Sequence, residues 1–263
     1  MVRPDRARRR VPVIELGVPG AEIPAHLRCL AIVPALNEAG AVGDVVRAIL
    51  AAGQGRVDVL VVDDGSTDGT AAAARAAGAR VVSLPFNVGI GNAVQTGYRV
   101  ARAEGYDVAM QVDGDGQHPP GQMGLLIAEV AAGANYVVGS RFMRDAGYET
   151  SRTRRGAMVF LAWLVSAAVG QTVTDTTSGF RAADRATIEL FAGHYPPDYP
   201  EVEALVLAHR AGLRIAEVPV LMLQRSTGTS SITPLRSAYY MVKVSLAVIV
   251  QRIGTAPRPE EPE

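Results

Sequence analysis

The sequence predicts an α/β fold with a mostly parallel central sheet flanked by helices. Three observations carry that expectation. Apolar runs such as "CLAIVPA" and "VDVLVV" read as buried strands. Between them lie Ala-rich amphipathic stretches of helical spacing, which is the rhythm of repeated βα units. Three of the runs end in acidic or polar clusters, where strands would leave the sheet for loops.

The elements follow in order. Residues 29–38 form a strand that runs out into a loop, and 39–52 its helix. "VDVLVVDDGSTDGT" (57–70) is the second strand with its loop, and a helix occupies 71–78. "ARVVSL" (79–84) is a third, short strand, and "NVGIGNAVQTGYRVARAEG" (87–105) opens on glycines and continues at helical spacing. "YDVAMQVDGDG" is the fourth strand and "NYVVGSR" (135–141) the fifth. Beyond that the rhythm is less regular. A helix over 154–169, an irregular polar stretch over 171–181, helices near 184–192 and 200–211, the strand "LRIAEVPVLML" and a terminal helix complete the chain, and "TAPRPEEPE" is a disordered tail.

Composition bounds the function. At 263 residues the chain can bury a substantial core. Its 26 acidic and 26 basic residues balance, so net charge gives no argument for nucleic acid as a partner. One cysteine, Cys29, excludes an internal disulfide and any multi-cysteine metal site, and a reducing compartment fits. The start "MVRPDRARRR" is basic but lacks the apolar core of a signal peptide and reads as a loose arm. No stretch of about 20 uncharged apolar residues appears that could span a bilayer. Two stretches come near it: "GAMVFLAWLVSAAVG" (156–170), with Trp163, and "SAYYMVKVSLAVIVQRIG" (237–254), with Lys243 and Arg252. Each either packs its apolar face on the core or lies in a membrane interface.

In open α/β sheets ligands sit beyond the carboxyl ends of the strands. Asn37 and Glu38, Asp63 and Asp64, and Asp113 and Asp115 are expected to converge there. Converging carboxylates repel unless something cationic neutralises them. Mg²⁺ or Mn²⁺ is the simplest candidate, because these ions take hard oxygen ligands and leave positions for water and substrate phosphates. Alternate residues of an extended segment share a side, which would put Asp113, Asp115 and Gln117 together. An EF-hand loop starting at Asp113 fails, with His118 and Gly124 at its sixth and twelfth positions. A dinucleotide fingerprint at Gly89 and Gly91 fails at Val94. Asp-Gly pairs also occur as plain turns, but three clusters in register favour a site. The residues alone lead to a metal-dependent enzyme acting on a phosphorylated ligand.

"VPALNE", "VVDDGSTDGT", "NVGIGNAVQTGY" and "QVDGDGQHPP", in this order, resemble the donor-binding half of family 2 glycosyltransferases of the GT-A type. "VGSRF", "DTTSGFRA", "EVPVLMLQR" and "GTSSI" continue the likeness, which covers roughly 28–250 and is nearest to the dolichol- or polyprenyl-phosphate mannosyltransferase branch. The resemblance implies a nucleotide-diphosphate sugar donor, UDP- or GDP-linked, with Pro34, Leu36, Glu38 and Asp64 at its base and ribose, and Asp63 shaping the loop beside them. It places Asn87 and Gly91 in the segment closing on the nucleotide. Asp113, Asp115 and Gln117 would ligate Mg²⁺ or Mn²⁺ at the diphosphate. Arg141 and Arg181 would face phosphate or sugar oxygens, and Arg225 lies on a stretch that in relatives covers the diphosphate.

Family members invert the anomeric centre. A polyprenyl phosphate acceptor, the favoured one, is already anionic and needs no base. A saccharide hydroxyl or small-molecule acceptor would need one, and Asp175 and Glu201 are the candidates. Either could instead cap a helix or bond its own loop. His118 reads as part of the turn before the prolines, and His194 stays open. Ser231 stands where close lipid-phosphate relatives often carry lysine, which weakens the case for the lipid acceptor. Two other classes stay open: a sugar-phosphate nucleotidyltransferase, which would show a basic glycine-rich loop where "VPALNEAG" has none, and a non-catalytic nucleotide-sugar sensor, against which Asp115 and Arg181 speak. The expected layout is a basic arm over 1–27, a catalytic domain over 28–254 with donor half 28–141 and acceptor half 142–254, and a tail over 255–263. Relatives often pair as homodimers. The expected location is cytoplasmic, with peripheral contact at the inner face of the cell membrane as an option.

Overall fold

The computed structural model describes residues 22–143, 152–198, 200–222, 243 and 246. Among the described residues seven strands form one sheet, in the order 80–83, 57–63, 29–35, 108–111, 181–184, 136–140, 215–219. β1 (Cys29–Ala35) is buried along its whole length, as a strand covered on both faces must be, and β2 (Val57–Asp63) pairs parallel to it with Ala35 opposite Asp63. β4 (Val108–Gln111) pairs parallel on the other side of β1, with Ile32 opposite Gln111. β3 (Arg80–Ser83) extends the sheet beyond β2, also parallel. The three strands expected to present polar clusters are therefore adjacent, and their carboxyl ends lie along one edge.

Helices cover both faces. On one face α1 (Val42–Gly53) buries Val42, Val45, Val46 and Ile49, the spacing of one helical stripe, against Ala31, Val33, Val59 and Val61. α2 (Thr70–Ala76) lies beside it. On the other face α3 (Ile90–Ala103) packs Val94, Tyr98 and Ala101 with Leu30, Ile32, Leu60 and Val62. α3 comes so close to β1 that a Cβ on Gly97 would lie 2.3 Å from Ile32 Cγ2. Alternate residues of β1 thus feed two cores.

Two elements were not legible in the sequence. α4 (Met123–Ala131) buries Met123, Leu126, Ile127 and Val130 after a 3-10 turn at Pro120–Gln122. β6 (Arg181–Asp184) sits between β4 and β5 (Tyr136–Ser140) and runs antiparallel to both, with Arg181 opposite Gln111 on one side and Val138 on the other. That reversal has a functional consequence. The start of β6, unlike that of every parallel neighbour, lies at the carboxyl edge, so the segment 175–180 is delivered there.

α5 (Arg152–Val169), α6 (Arg185–Gly193), α7 (Pro200–Arg210) and β7 (Ile215–Pro219), parallel to β5, complete the fold. α6 starts where the Asp184 side chain accepts a hydrogen bond from the Thr187 N–H at 2.9 Å. The expected loose arm is too long at its carboxyl end: Ile23 is buried and its carbonyl accepts from Arg56 Nη1 at 2.7 Å. Arg225, Ser231, the tail and all of the terminal helix except Lys243 and Leu246 lie outside the described residues.

Candidate active site

At the carboxyl edge of β1, β2 and β4 a cleft of about 340 Å³ opens, lined by Pro34, Leu36, Glu38, Asp64, Asn87, Gly89, Asp113 and Asp115 among others. Its first wall is the loop after β2. Asp63 Oδ1 accepts from the Ser66 N–H at 3.1 Å and shapes that loop. The buried Asp64 turns outward and accepts from the backbone N–H groups of Val88, at 2.8 Å, and Gly89, at 3.1 Å. Gly89 has φ 89°, which glycine adopts without strain. One step on, a Cβ on Gly91 would lie 2.2 Å from the Pro196 carbonyl oxygen, so only glycine lets α3 start against that segment.

The opposite wall follows β4. The chain does not continue extended past Asp113. It turns at Gly114 and Asp115, Gly116 has φ 77°, and Asp115 Oδ1 accepts from the Gln117 N–H at 3.0 Å. Asp113 and Asp115 line the cleft, while Gln117 is not among the lining residues. Asp113 is held from three sides. Gln111 Nε2 donates to its Oδ1 at 3.0 Å, its N–H donates to His118 Nδ1 at 2.9 Å, and His118 Nε2 stands 3.5 Å from its Oδ2. Burial pushes the His118 imidazole below its ordinary range, against the pull of Asp113 and Asp115, so the ring is a neutral acceptor of the backbone N–H. Among the described residues no group of three His, Cys, Asp or Glu side chains could hold a metal ion.

The third side is the segment 174–179. Glu217 on β7 accepts from the N–H groups of Thr174, at 2.8 Å, and Asp175, at 2.9 Å. Asp175, 1% exposed, then takes Arg141 in a fork: Nε donates to Oδ2 at 2.6 Å and Nη2 to Oδ1 at 2.7 Å. A Cβ on Gly179 would lie 2.8 Å from Asp113 Oδ2, so the segment runs directly against the aspartate of β4. Arg181 is 0% exposed beneath the same segment and donates to Ser178 O, Thr176 O and Tyr136 Oη at 2.6, 3.2 and 2.8 Å. Glu201, at the first turn of α7, is within electrostatic reach of Arg181 and Asp113, and its burial pushes its carboxyl above the usual range.

The comparisons with known proteins meet this geometry. Residues 30–189 match the sequence model of the family described as Glycosyl transferase family 2. The chain belongs to glycosyl transferase family 2. It is 34% identical over 191 residues to an undecaprenyl-phosphate mannosyltransferase of Micrococcus luteus, a match covering 67% of this chain and 76% of that protein. Over 228 residues it is 29% identical to a polyprenol monophosphomannose synthase of Mycolicibacterium smegmatis, covering 83% and 86%. Among solved structures it resembles glucosyl-3-phosphoglycerate synthase from Mycobacterium tuberculosis in complex with Mn²⁺, UDP and phosphoglyceric acid, with a TM-score of 0.67, 25% identity, and 92% and 86% of the two chains covered. The fold is of the GT-A type, and this family 2 protein is a glycosyltransferase.

In this glycosyltransferase Pro34, Leu36, Glu38, Asp64, Asn87, Asp113 and Asp115 line one cleft. Three expectations about side-chain direction need correction. Gln117 does not share a side with the two aspartates by strand alternation, because the segment is a turn. Asp175 does not fit the role of a base, since both its oxygens are committed to Arg141. Arg181 does not face the cleft, because it is spent on two carbonyls and a tyrosine hydroxyl below it. Arg141 is held by Asp175 and also donates to Thr177 Oγ1 at 2.7 Å. Gln111, Gly179 and Glu217 were missed by sequence reasoning. The glycine of "SGFR" was the one available signal.

Proposed function

We propose that this glycosyltransferase moves a hexose, with inversion, from a nucleotide-diphosphate sugar to a polyprenyl phosphate, with Mg²⁺ or Mn²⁺ as cofactor. The observation that carries the reading is the placement of Asp113 and Asp115 on one wall of a cleft whose other wall is Pro34, Leu36, Glu38 and Asp64. The donor set suits a hard divalent cation: two carboxylates and no cluster of three protein ligands among the described residues, which leaves coordination positions for diphosphate oxygens and water. Asp113 and Asp115 would hold the cation, and Gln117 contributes by fixing Asp115 through its backbone N–H. When bound, the cation neutralises charge that develops on the departing diphosphate.

The chain's own residues do the rest. Pro34, Leu36 and Glu38 bind the base and ribose. Asp64 acts through the loop it holds, drawing the Asn87–Gly89 turn over the nucleotide by the N–H groups of Val88 and Gly89. Arg141, fixed in direction by Asp175, would act on the departing diphosphate as preorganised positive charge, without reorganisation cost. Arg181 supports the 176–178 backbone from below and positions that segment. Arg225 is proposed to cover the diphosphate, on the resemblance alone.

Two relatives named for undecaprenyl-phosphate and polyprenol substrates support the lipid acceptor. Its phosphate attacks as an anion and needs no base. A second reading has one observation in its favour: the solved neighbour holds phosphoglyceric acid, a small phosphorylated acceptor. For a hydroxyl acceptor Glu201 is the remaining candidate base: burial raises its affinity for a proton, but it is not among the residues lining the cleft. In either case the protein works on the cytoplasmic side, and the lipid acceptor brings it to the membrane surface.

The test is mass spectrometry of the products formed from pooled nucleotide sugars, Mn²⁺ or Mg²⁺, and a polyprenyl phosphate, with Asp115→Asn alongside. A glycosylated lipid phosphate made only by the wild type is the expected result. Release of nucleoside diphosphate without a lipid product would move the acceptor to the second reading. No consumption of any nucleotide sugar would remove the proposal.

A further inference from the structure

α5 carries a continuous apolar face that the fold leaves open. Leu161, Val165 and Val169 turn inward and are buried with the core of α3, α6 and α7. On the other side Val159 is 62% exposed, Phe160 46% and Trp163 64%, and Ala167 continues the row one turn on. Spacings of four residues join 159, 163 and 167, so these positions form one stripe of the helix. The Phe160 and Trp163 rings lie 6.1 Å apart and add to a single patch. Exposed large apolar side chains that group in this way mark an interaction surface, whereas scattered ones do not.

The charge pattern identifies the partner. The first turn of α5 carries Arg152, Arg154 and Arg155, and its 18 residues include neither Asp nor Glu. Arg152 and Arg155 precede Val159 by seven and four positions in the sequence. An all-basic end on an apolar stripe complements an anionic lipid surface, where arginine meets headgroups and the aromatic residues enter the acyl boundary. Two other occupants fit less well. A second copy of α5 packed parallel would set arginines against arginines, and packed antiparallel would set them on the partner's apolar end. The apolar stretch 237–254 of this chain carries Lys243 and Arg252 and no acidic residue, and its Leu246 is itself exposed. No helix among the described residues is long and apolar enough to cross a bilayer, so the contact is one of lying on the surface.

We infer that the Val159–Phe160–Trp163–Ala167 face of α5 seats the enzyme on an anionic membrane. This deepens the lipid-acceptor reading by naming the surface that meets the bilayer, and it rests on that reading for its purpose. Its binding test does not depend on it.

Trp163 is the only tryptophan in the chain, so its fluorescence reports on this face alone. The full-length protein is titrated with phosphatidylcholine vesicles, plain or mixed with phosphatidylglycerol, containing no polyprenyl phosphate and no nucleotide sugar. The expected result is a blue shift of emission with the anionic vesicles only, reduced by salt and quenched by brominated acyl chains. A Val159→Glu/Phe160→Glu variant retains Trp163 and should bind at least about tenfold more weakly, while Phe160→Leu should bind nearly as the wild type does. Melting curves followed by circular dichroism check that both variants fold. A blue shift that grows with protein concentration without vesicles would overturn the inference in favour of a second copy. Vesicle binding without a change at Trp163, or no binding, would also overturn it. Transfer to a water-soluble short-chain polyprenyl phosphate is measured separately. Anionic binding through Trp163 without that transfer would count against the acceptor and still support this surface.

Discussion

The Asp175 carboxylate grips the Arg141 guanidinium at both ends, Oδ2 from Nε at 2.6 Å and Oδ1 from Nη2 at 2.7 Å, and also accepts the Arg141 backbone N–H at 3.1 Å. Both residues are buried, so neither charge can fall back on water when the other is removed. Glu217 fixes the segment that carries Asp175. The arginine thus has one direction, set from β7 through the 174–177 loop.

Breaking this pair from one side should therefore cost more than removing it. Asp175→Ala is expected to lower stability by about 3–5 kcal/mol in urea denaturation. The double variant Arg141→Met/Asp175→Leu should recover most of that loss, because the buried pair is then removed as a unit. Transfer activity should stay low in both under the proposed role of Arg141, whose direction is lost in the single variant and whose charge is lost in the double one. Recovery of activity with stability would assign the pair a purely structural role.

Gly179 is predicted to be a metal-affinity position although it has no side chain. A Cβ there meets Asp113 Oδ2 at 2.8 Å and Gln111 Nε2 at 3.1 Å, both ends of side chains that can swing away. Gly179→Ala should therefore fold, with a melting temperature near that of the wild type. It should need about 10–100-fold more Mn²⁺ for half-maximal transfer, the scale seen when ligand-orienting neighbours are disturbed.

His118 gives a pH dependence with a definite sign. In the fold its ring is buried and neutral, with its proton affinity pushed down mainly by burial. In the unfolded chain it takes a proton as pH falls below about 6.5. Between that value and the lower native one the unfolded state binds more protons, so this contribution to stability is complete above about 6.5 and is lost as pH falls through the native value. Urea denaturation without divalent cation should show that slope, and His118→Gln should have lower stability at neutral pH but a flatter profile. An equal slope in both proteins would contradict the assignment.

Much of the fold could be read directly because a sheet covered on both faces writes itself as uninterrupted apolar runs, as in Cys29–Ala35 and Tyr136–Ser140. α4 escaped because "MGLLIAEVA" follows a proline turn and is apolar nearly all round, which leaves little contrast between faces. β6 escaped because "RAAD" is four residues long and its alanines carry no strand preference. It is a strand because the gap between β4 and β5 supplies partners on both sides. The cleft residues were legible where they follow a strand directly. The pairing of Arg141 with Asp175 was not, as the two are 34 positions apart and nothing local says which arginine a carboxylate will meet. Nor was the depth of Arg181, which follows from the antiparallel course of β6 and from the Tyr136 hydroxyl beneath it.

Asp113 and Asp115 are proposed to hold a cation that in turn holds the donor diphosphate. Calorimetric titration of UDP and of GDP, with and without Mn²⁺, into the wild type and Asp115→Asn tests it most directly. At least one nucleotide should bind the wild type with Mn²⁺ and about 10²-fold more weakly without it, and Asp115→Asn should bind at the weaker level whether Mn²⁺ is present or not. Equal affinity in all four conditions would contradict it.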